Sequence, residues 1–332
     1  MRANGYELRS ALQSIPEVVG NNQDRTMRKL ILSNLVIILT CCLTPQLKAQ
    51  ESWIDTSIHK GLTELESDYP FKILVSNDSI KTTSETLKNL NKAKLYFDEI
   101  FQTNLDFAVL FIENRVWNEH AYFPPPGLPQ AGKGNVILGL DKSTISMEVE
   151  KTISQLPEHY LTSLKTVYGE NIDLDLFYRE TLSIHELAHL YHFKEGTQPQ
   201  RKWLQELFAT MSMYSFIKEK SNSSYQLMHT YPEFIIQSGD RMAEFKTLKD
   251  FEEKYVQKLT PQNYEWFQMQ FYQNAKAIID SNKSDILIRL QKFLINTDLG
   301  KTKILTDSEL ATRLEKEVGK EVTAILTNWE YK

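Results

Sequence analysis

The pentad His185-Glu186-Leu187-Ala188-His189 constrains this chain more than any other stretch. It sets two imidazoles four residues apart, with a carboxylate beside the first. On an α-helix, positions i and i+4 share a face, so both rings reach one metal ion. Glu186 projects about 100° away from His185, as the helical turn requires. It stands beside the metal rather than on it, placed to take a proton from water. Three fixed residues are a short pattern, however. A solvated helix carrying two surface histidines would read the same, so the surroundings have to decide.

A catalytic zinc site wants three protein ligands and one open position. The chain supplies a candidate in Trp203-Leu204-Gln205-Glu206-Leu207-Phe208-Ala209. Glu206 sits among Trp203, Leu204, Leu207 and Phe208, where an unpaired carboxylate would be costly. The loop between residues 193 and 202 allows an antiparallel return beside the first helix, bringing Glu206 back to the two histidines. A buried salt bridge is the plain alternative for Glu206 taken alone.

Together the two motifs resemble the gluzincin metallopeptidases, most closely the aminopeptidase branch and its small relatives, whose second motif reads Trp-Leu-x-Glu-Gly-x-Ala. Sixteen residues separate His189 from Glu206. Leu207 replaces the usual Gly, and the spacing is slightly shorter than the aminopeptidases show. The resemblance covers about residues 175–275. It implies one Zn2+ per chain, held by His185, His189 and Glu206. It also implies a zinc-activated water with Glu186 as general base and then as acid to the leaving amine. A Tyr downstream stabilises the oxyanion in that branch, in a segment like Tyr-x-x-Gly. Tyr264-Glu265-Trp266-Phe267 fits, with Phe in place of Gly, 58 residues after Glu206. Tyr264 is the expected donor, with Tyr231 and Tyr272 as rivals. The Gly-x-Met-Glu-Asn segment that binds a free amino terminus in aminopeptidases has no match at Gly134-Asn135-Val136-Ile137-Leu138, which leaves endopeptidase action open.

The remaining histidines read as bystanders. His192 takes the position of the metzincin Gly, and residue 195 is Glu, which argues against a metzincin site. His192 is expected to cap or pack the helix end, where a cation is favoured. His59, His120, His159 and His229 show no partners and read as surface or loop residues. Thr210, one turn after Glu206, is a candidate for orienting the site.

Composition adds bounds. The 332 residues are 41% hydrophobic and 24% charged, ordinary globular values. Residues 1–49 carry six Lys/Arg against three Asp/Glu, so with a net charge of −5 the remaining chain carries −8. That balance argues against a nucleic-acid or anionic-membrane partner. Met27-Arg28-Lys29 precedes an apolar run from Leu30 to Leu43, and Leu47-Lys48-Ala49-Gln50 follows. This is the layout of a secretory signal over about 27–49, with Met27 as the suspected start. The run is short for a membrane span. An uncleaved anchor and a lipid-attached cysteine are the alternatives. Both cysteines, Cys41 and Cys42, fall inside the run, so the mature chain needs neither disulfides nor a reducing compartment. A secreted or periplasmic monomer with no stable membrane span is expected.

Along the chain, strands are expected at residues 71–76, 106–112 and 135–140. Residues 122–134 hold four prolines and three glycines and read as a loop. Helices are expected at 81–101, 153–168 (interrupted at Pro157), 174–193, 203–217, 248–256, 261–280, 284–294, 306–318 and 320–329, with Asp307 in a first helical turn. The fold class expected is α+β and zincin-like. A small twisted sheet with helices comes first, then a mostly helical C-terminal half. The organisation reads as 1–49 extension and signal, 50–172 α/β subdomain and 173–332 helical subdomain with the zinc site, and residues 50–70 could be a propeptide. Strand 135–140 is a candidate edge strand for an extended substrate, as in zincins.

The expected function is zinc-dependent hydrolysis of a peptide or protein substrate. The competing readings are a non-catalytic peptide-binding module on the same scaffold and a zinc hydrolase of another amide.

Overall fold

Three short apolar runs form the centre of a five-stranded sheet. Strands β2 (Lys72–Val75), β3 (Ala108–Ile112) and β5 (Asn135–Gly139) pair in parallel, with Ile73 beside Val109 and Val109 beside Val136. Strands β1 (Thr63–Leu65) and β4 (Gln130–Gly132) flank them antiparallel, giving the order β1-β2-β3-β5-β4. Alternate side chains leave opposite faces of a strand. Ile73, Val75, Val109, Phe111, Val136 and Leu138 enter the main core. Leu74, Leu110, Ile112 and Ile137 enter a second cluster, against Ile54, Ile58 and Leu62. Covering both faces is what demands continuous apolar runs in the central strands.

The computed structural model describes residues 52–77, 84–153, 156–196, 198–239, 243–255, 259–281 and 285–329. The expected signal segment, both cysteines and the start of the helix expected from residue 81 lie outside these. Among the described residues, no helix is long and apolar enough to cross a membrane.

Helix α1 (Ser84–Phe101) carries the chain from β2 to β3 and buries Leu87, Leu90, Ala93, Phe97 and Phe101, a helical stripe. Helices α2 (Thr144–Ile153) and α3 (Glu158–Tyr168) follow the sheet. A helical turn at Asp175–Phe177 and a π turn at Tyr178–Leu182 lead into α4 (Ser183–Phe193). The rest is helical: α5 (Lys202–Lys220), α6 (Asn222–Gly239), α7 (Leu248–Lys254), α8 (Pro261–Ser281), α9 (Asp285–Asn296), α10 (Asp307–Glu317) and α11 (Lys320–Asn328). Capping boxes at Thr247/Asp250 and Thr306/Glu309 start α7 and α10, satisfying free N–H groups of the first turn. The architecture is α+β as expected, with a small mixed sheet ahead of a helical C-terminal half.

Several expectations need correction. Strand 135–140 is internal, not an edge, because β4 forms inside the stretch read as a loop and takes the edge position. The helix expected at 153–168 starts only at Glu158, with Pro157 as its N-cap, and α2 (Thr144–Ile153) ahead of it had no sequence expectation. The helix expected at 174–193 contains the π turn. Helix α6 and strand β1 had no sequence expectation. Residues 52–70 belong to the fold: Trp53 donates its indole N–H to the Asp106 carbonyl at 2.8 Å, and β1 extends the sheet.

Candidate metal centre

Helix α4 is fixed before it presents any ligand. Tyr191 donates to Asp98 at 2.8 Å and lies 3.1 Å from the Lys94 carbonyl, tying the helix to α1. Gln291 on α9 donates to the Tyr191 carbonyl at 2.8 Å. In the π turn, Glu180 accepts from Thr86 at 2.7 Å and Asn89 at 2.8 Å, again on α1. Leu187, Leu190 and Ala188 pack into the main core. The opposite face is left for His185 and His189.

Helix α5 runs antiparallel to α4. His189 meets Glu206, and one turn back along α4 His185 meets Thr210, one turn further on along α5. The Nε2 atoms of His185 and His189 are 3.1 Å apart. Glu206 Oε2 lies 3.4 Å from the first and 3.7 Å from the second. Ligand atoms held tetrahedrally at about 2.0–2.1 Å from one ion lie roughly 3.3 Å from each other. The three observed separations bracket that spacing, so the trio fits a zinc-sized ion. All three residues are nearly buried, at 3%, 4% and 3% exposure for His185, His189 and Glu206.

Electrostatics agree with a cation's place. Burial alone would raise the Glu206 carboxyl, but the His189 charge and bonds to both imidazoles outweigh it and hold the carboxyl well below its usual range. Burial lowers His185. The same burial acts on His189, yet the Glu206 charge prevails and raises it. Two imidazoles and a carboxylate packed this closely share protons among themselves, a role a divalent ion takes over in a metal site.

Glu186 contributes no atom to the trio. Burial raises its carboxyl from 4.5 to about 8, opposed by the His189 charge and a backbone hydrogen bond from Ala131 on β4. A carboxyl poised near neutrality suits a group that must accept and return a proton.

Tyr264, at the start of α8, reaches the same place. Gln268, one turn on, donates to the Tyr264 hydroxyl at 2.8 Å and to Glu206 Oε2 at 2.9 Å. Of the rivals, Tyr231 donates to Glu265 at 2.5 Å, and Tyr272 is bonded to His229. Neither reaches Glu206. Tyr255 also donates to Glu206, on Oε1 at 2.7 Å. Sequence reasoning missed Tyr255 and Gln268. Gln268 stands one turn from Tyr264, a legible signal; Tyr255 lies just past α7 and offered none.

The histidine readings need revision. His192 is buried against Phe193 and Phe208, and burial lowers it to about 3, so it is neutral and no helix-end cation. His120 is buried with Nδ1 2.7 Å from the Ile58 carbonyl, and His229 is buried beside Tyr272. His59 Nε2 lies 2.7 Å from Asn135 Oδ1. His159 is exposed, as expected.

No family profile matches the chain, and no curated protein sequence matches it. Solved structures that align with it include an aminopeptidase N family protein from Idiomarina loihiensis, at 10% identity and a TM-score of 0.43, over 82% of this chain and 46% of that one. Another is the M1 zinc metallopeptidase from Deinococcus radiodurans, at 13% identity and a TM-score of 0.32, over 81% and 50%. The chain spans about half the length of each.

Proposed function

We propose that this chain is a zinc-dependent metallopeptidase of gluzincin type. The observation that carries the reading is the convergence of His185 Nε2, His189 Nε2 and Glu206 Oε2 at tetrahedral-edge distances, with Glu186 beside them and uninvolved. His185, His189 and Glu206 would hold one zinc ion. When bound, zinc supplies Lewis-acid polarisation and a nucleophile available at neutral pH.

The chain's own residues do the rest. Glu186 takes the proton of the attacking water as its oxygen bonds the peptide carbonyl carbon. It then passes that proton to the nitrogen as the C–N bond breaks. Tyr264 donates to the carbonyl oxygen as charge develops there. The β4 edge is the place for an extended peptide, since an edge strand offers main-chain hydrogen bonds while pockets sort side chains. Ala131 on that strand already bonds Glu186, which ties the base to the expected substrate path.

The same reading includes a secreted or periplasmic monomer whose signal peptide spans about 27–49, acting on peptide or protein. It also includes an α/β lobe over 50–172 and a helical lobe over 173–332. Digestion of a peptide library by zinc-loaded protein tests it. Cleavage that disappears in Glu186→Gln supports the reading; no cleavage by zinc-loaded parent protein contradicts it.

A further inference from the structure

His192 is the buried ring that the reading above leaves unused. Its Nε2 lies 3.3 Å from Nδ1 of His189, the nitrogen that faces away from Glu206. A ligand imidazole must be neutral, and in that state two imidazoles at this distance share one hydrogen; which ring gives it decides whether His189 can bind a metal. If His192 were the donor, His189 would carry its own hydrogen on Nε2, the atom aimed at Glu206 and His185, and that atom would have no lone pair to offer.

The backbone resolves the choice. His192 also makes a hydrogen bond with the Gly196 backbone. The Gly196 N–H is already committed to the His192 carbonyl at 2.9 Å. The ring therefore faces the Gly196 carbonyl, which only accepts. His192 must donate to it, and the nitrogen left for this is Nδ1. Its Nε2 is then a bare acceptor, and His189 Nδ1–H is the donor.

The surroundings hold the relay in place. Phe193 and Phe208 pack edge-on against the His192 ring, with centroids at 4.4 and 5.4 Å. Next to Gly196, Asp298 accepts from the Gln198 N–H at 2.7 Å and the Gly300 N–H at 2.9 Å. A Cβ at Gly196 would sit 3.1 Å from the Asp298 carboxylate, so this turn has little room to shift.

We propose that His192 is a positioning residue, which accepts the Nδ1–H of His189 and so keeps the Nε2 lone pair of His189 directed at the metal position. The inference rests on the metal reading of His189. On the other ligand, Thr210 does the same work: it donates to the Glu206 carbonyl at 2.8 Å, leaving its oxygen to accept from His185 Nδ1 at 3.3 Å. Both acceptors are uncharged, so the ligands are oriented without a further anion beside Glu206.

The test is a zinc competition titration against a chromophoric chelator, with parent, His192→Phe and His192→Gln proteins. Phe keeps a flat ring and removes the acceptor. Gln restores an acceptor near the position of Nε2. Zinc affinity is expected to fall about 10–100-fold in His192→Phe and to stay near the parent in His192→Gln. A folded His192→Phe protein that binds zinc as tightly as the parent overturns the inference. If His192→Phe fails to fold, nitrogen-15 histidine spectra of the zinc-loaded parent decide. Ring hydrogens on Nδ1 of both His189 and His192 support the relay; a hydrogen on His192 Nε2 overturns it. A parent that binds no zinc overturns this inference and the metal reading together, whereas the first two failures leave the metal reading standing.

Discussion

Tyr255 donates its phenolic hydrogen to Glu206 Oε1 across 2.7 Å, joining the end of α7 to the carboxylate on α5. The bond aims the other oxygen, Oε2, at the two histidines. Replacing Tyr255 with Phe removes a donor from a buried carboxylate while keeping the ring that packs on Phe251 and Tyr264. Zinc affinity is expected to drop about tenfold or more, with the helical circular dichroism signal intact. An unchanged affinity in the chelator titration would show that Glu206 does not depend on this donor.

Tyr264 is placed by the Gln268 amide, which bonds it and Glu206 at once. Its hydroxyl is therefore expected to act on the reacting oxygen rather than on the metal. Tyr264→Phe should lower kcat on a cleaved peptide by roughly 10²–10³, with zinc content unchanged. Loss of zinc along with activity would instead make Tyr264 part of the metal's support.

Glu186 separates activity from stability. Folding raises its carboxyl from 4.5 to about 8, burial being the main cause. Between those values the folded chain holds a proton that the unfolded chain has released, so metal-free stability declines as pH rises and levels off above about 8. Glu186→Gln removes this dependence. The metal-free variant should exceed its parent at pH 8 by an amount on the order of a few kcal/mol and match it near pH 4. Denaturant unfolding at the two pH values measures the difference, and equal stability at pH 8 would contradict the burial argument.

His229 gives the opposite slope at a site remote from the metal. Burial, aided by the Lys276 charge and opposed by Asp280, lowers it from 6.5 to about 4. Between those values the unfolded chain takes a proton that the folded chain refuses, so this contribution is lost as pH falls below 6.5. In His229→Gln, unfolding free energies at pH 7 and pH 5 should lie closer together than in the parent. An undiminished difference would assign the acid sensitivity to other groups.

How much of this was legible in sequence follows from the range of the interactions. The i, i+4 pairing of His185 and His189 is local, and Glu206 stood out as a carboxylate in an apolar run. Gln268 was open to the same reasoning, since its spacing from Tyr264 is one helical turn. Tyr255 was not, because only the packing of α7 and α8 brings it to Glu206. Strand β4 escaped notice because it is three residues long, lies among prolines and glycines, and exists through its backbone pairing with β5. Helix α6 begins with Asn222-Ser223-Ser224 and contains Pro232, both of which read as breakers, yet its apolar residues Met228 and Tyr231 are buried against its neighbours. His192 packs at the helix end, one of the two alternatives expected, but its charge was not legible, for a related reason. A histidine in a last helical turn suggests a dipole-stabilised cation, but Phe208 from the neighbouring helix closes over it and keeps it neutral.

The central claim is that His185, His189 and Glu206 hold one metal ion. Metal content of the purified protein after zinc loading and gel filtration, beside His189→Ala prepared in the same way, tests it most directly. The account predicts one zinc per parent chain and almost none in the variant. Equal zinc in the two proteins, or none in the parent, would contradict it.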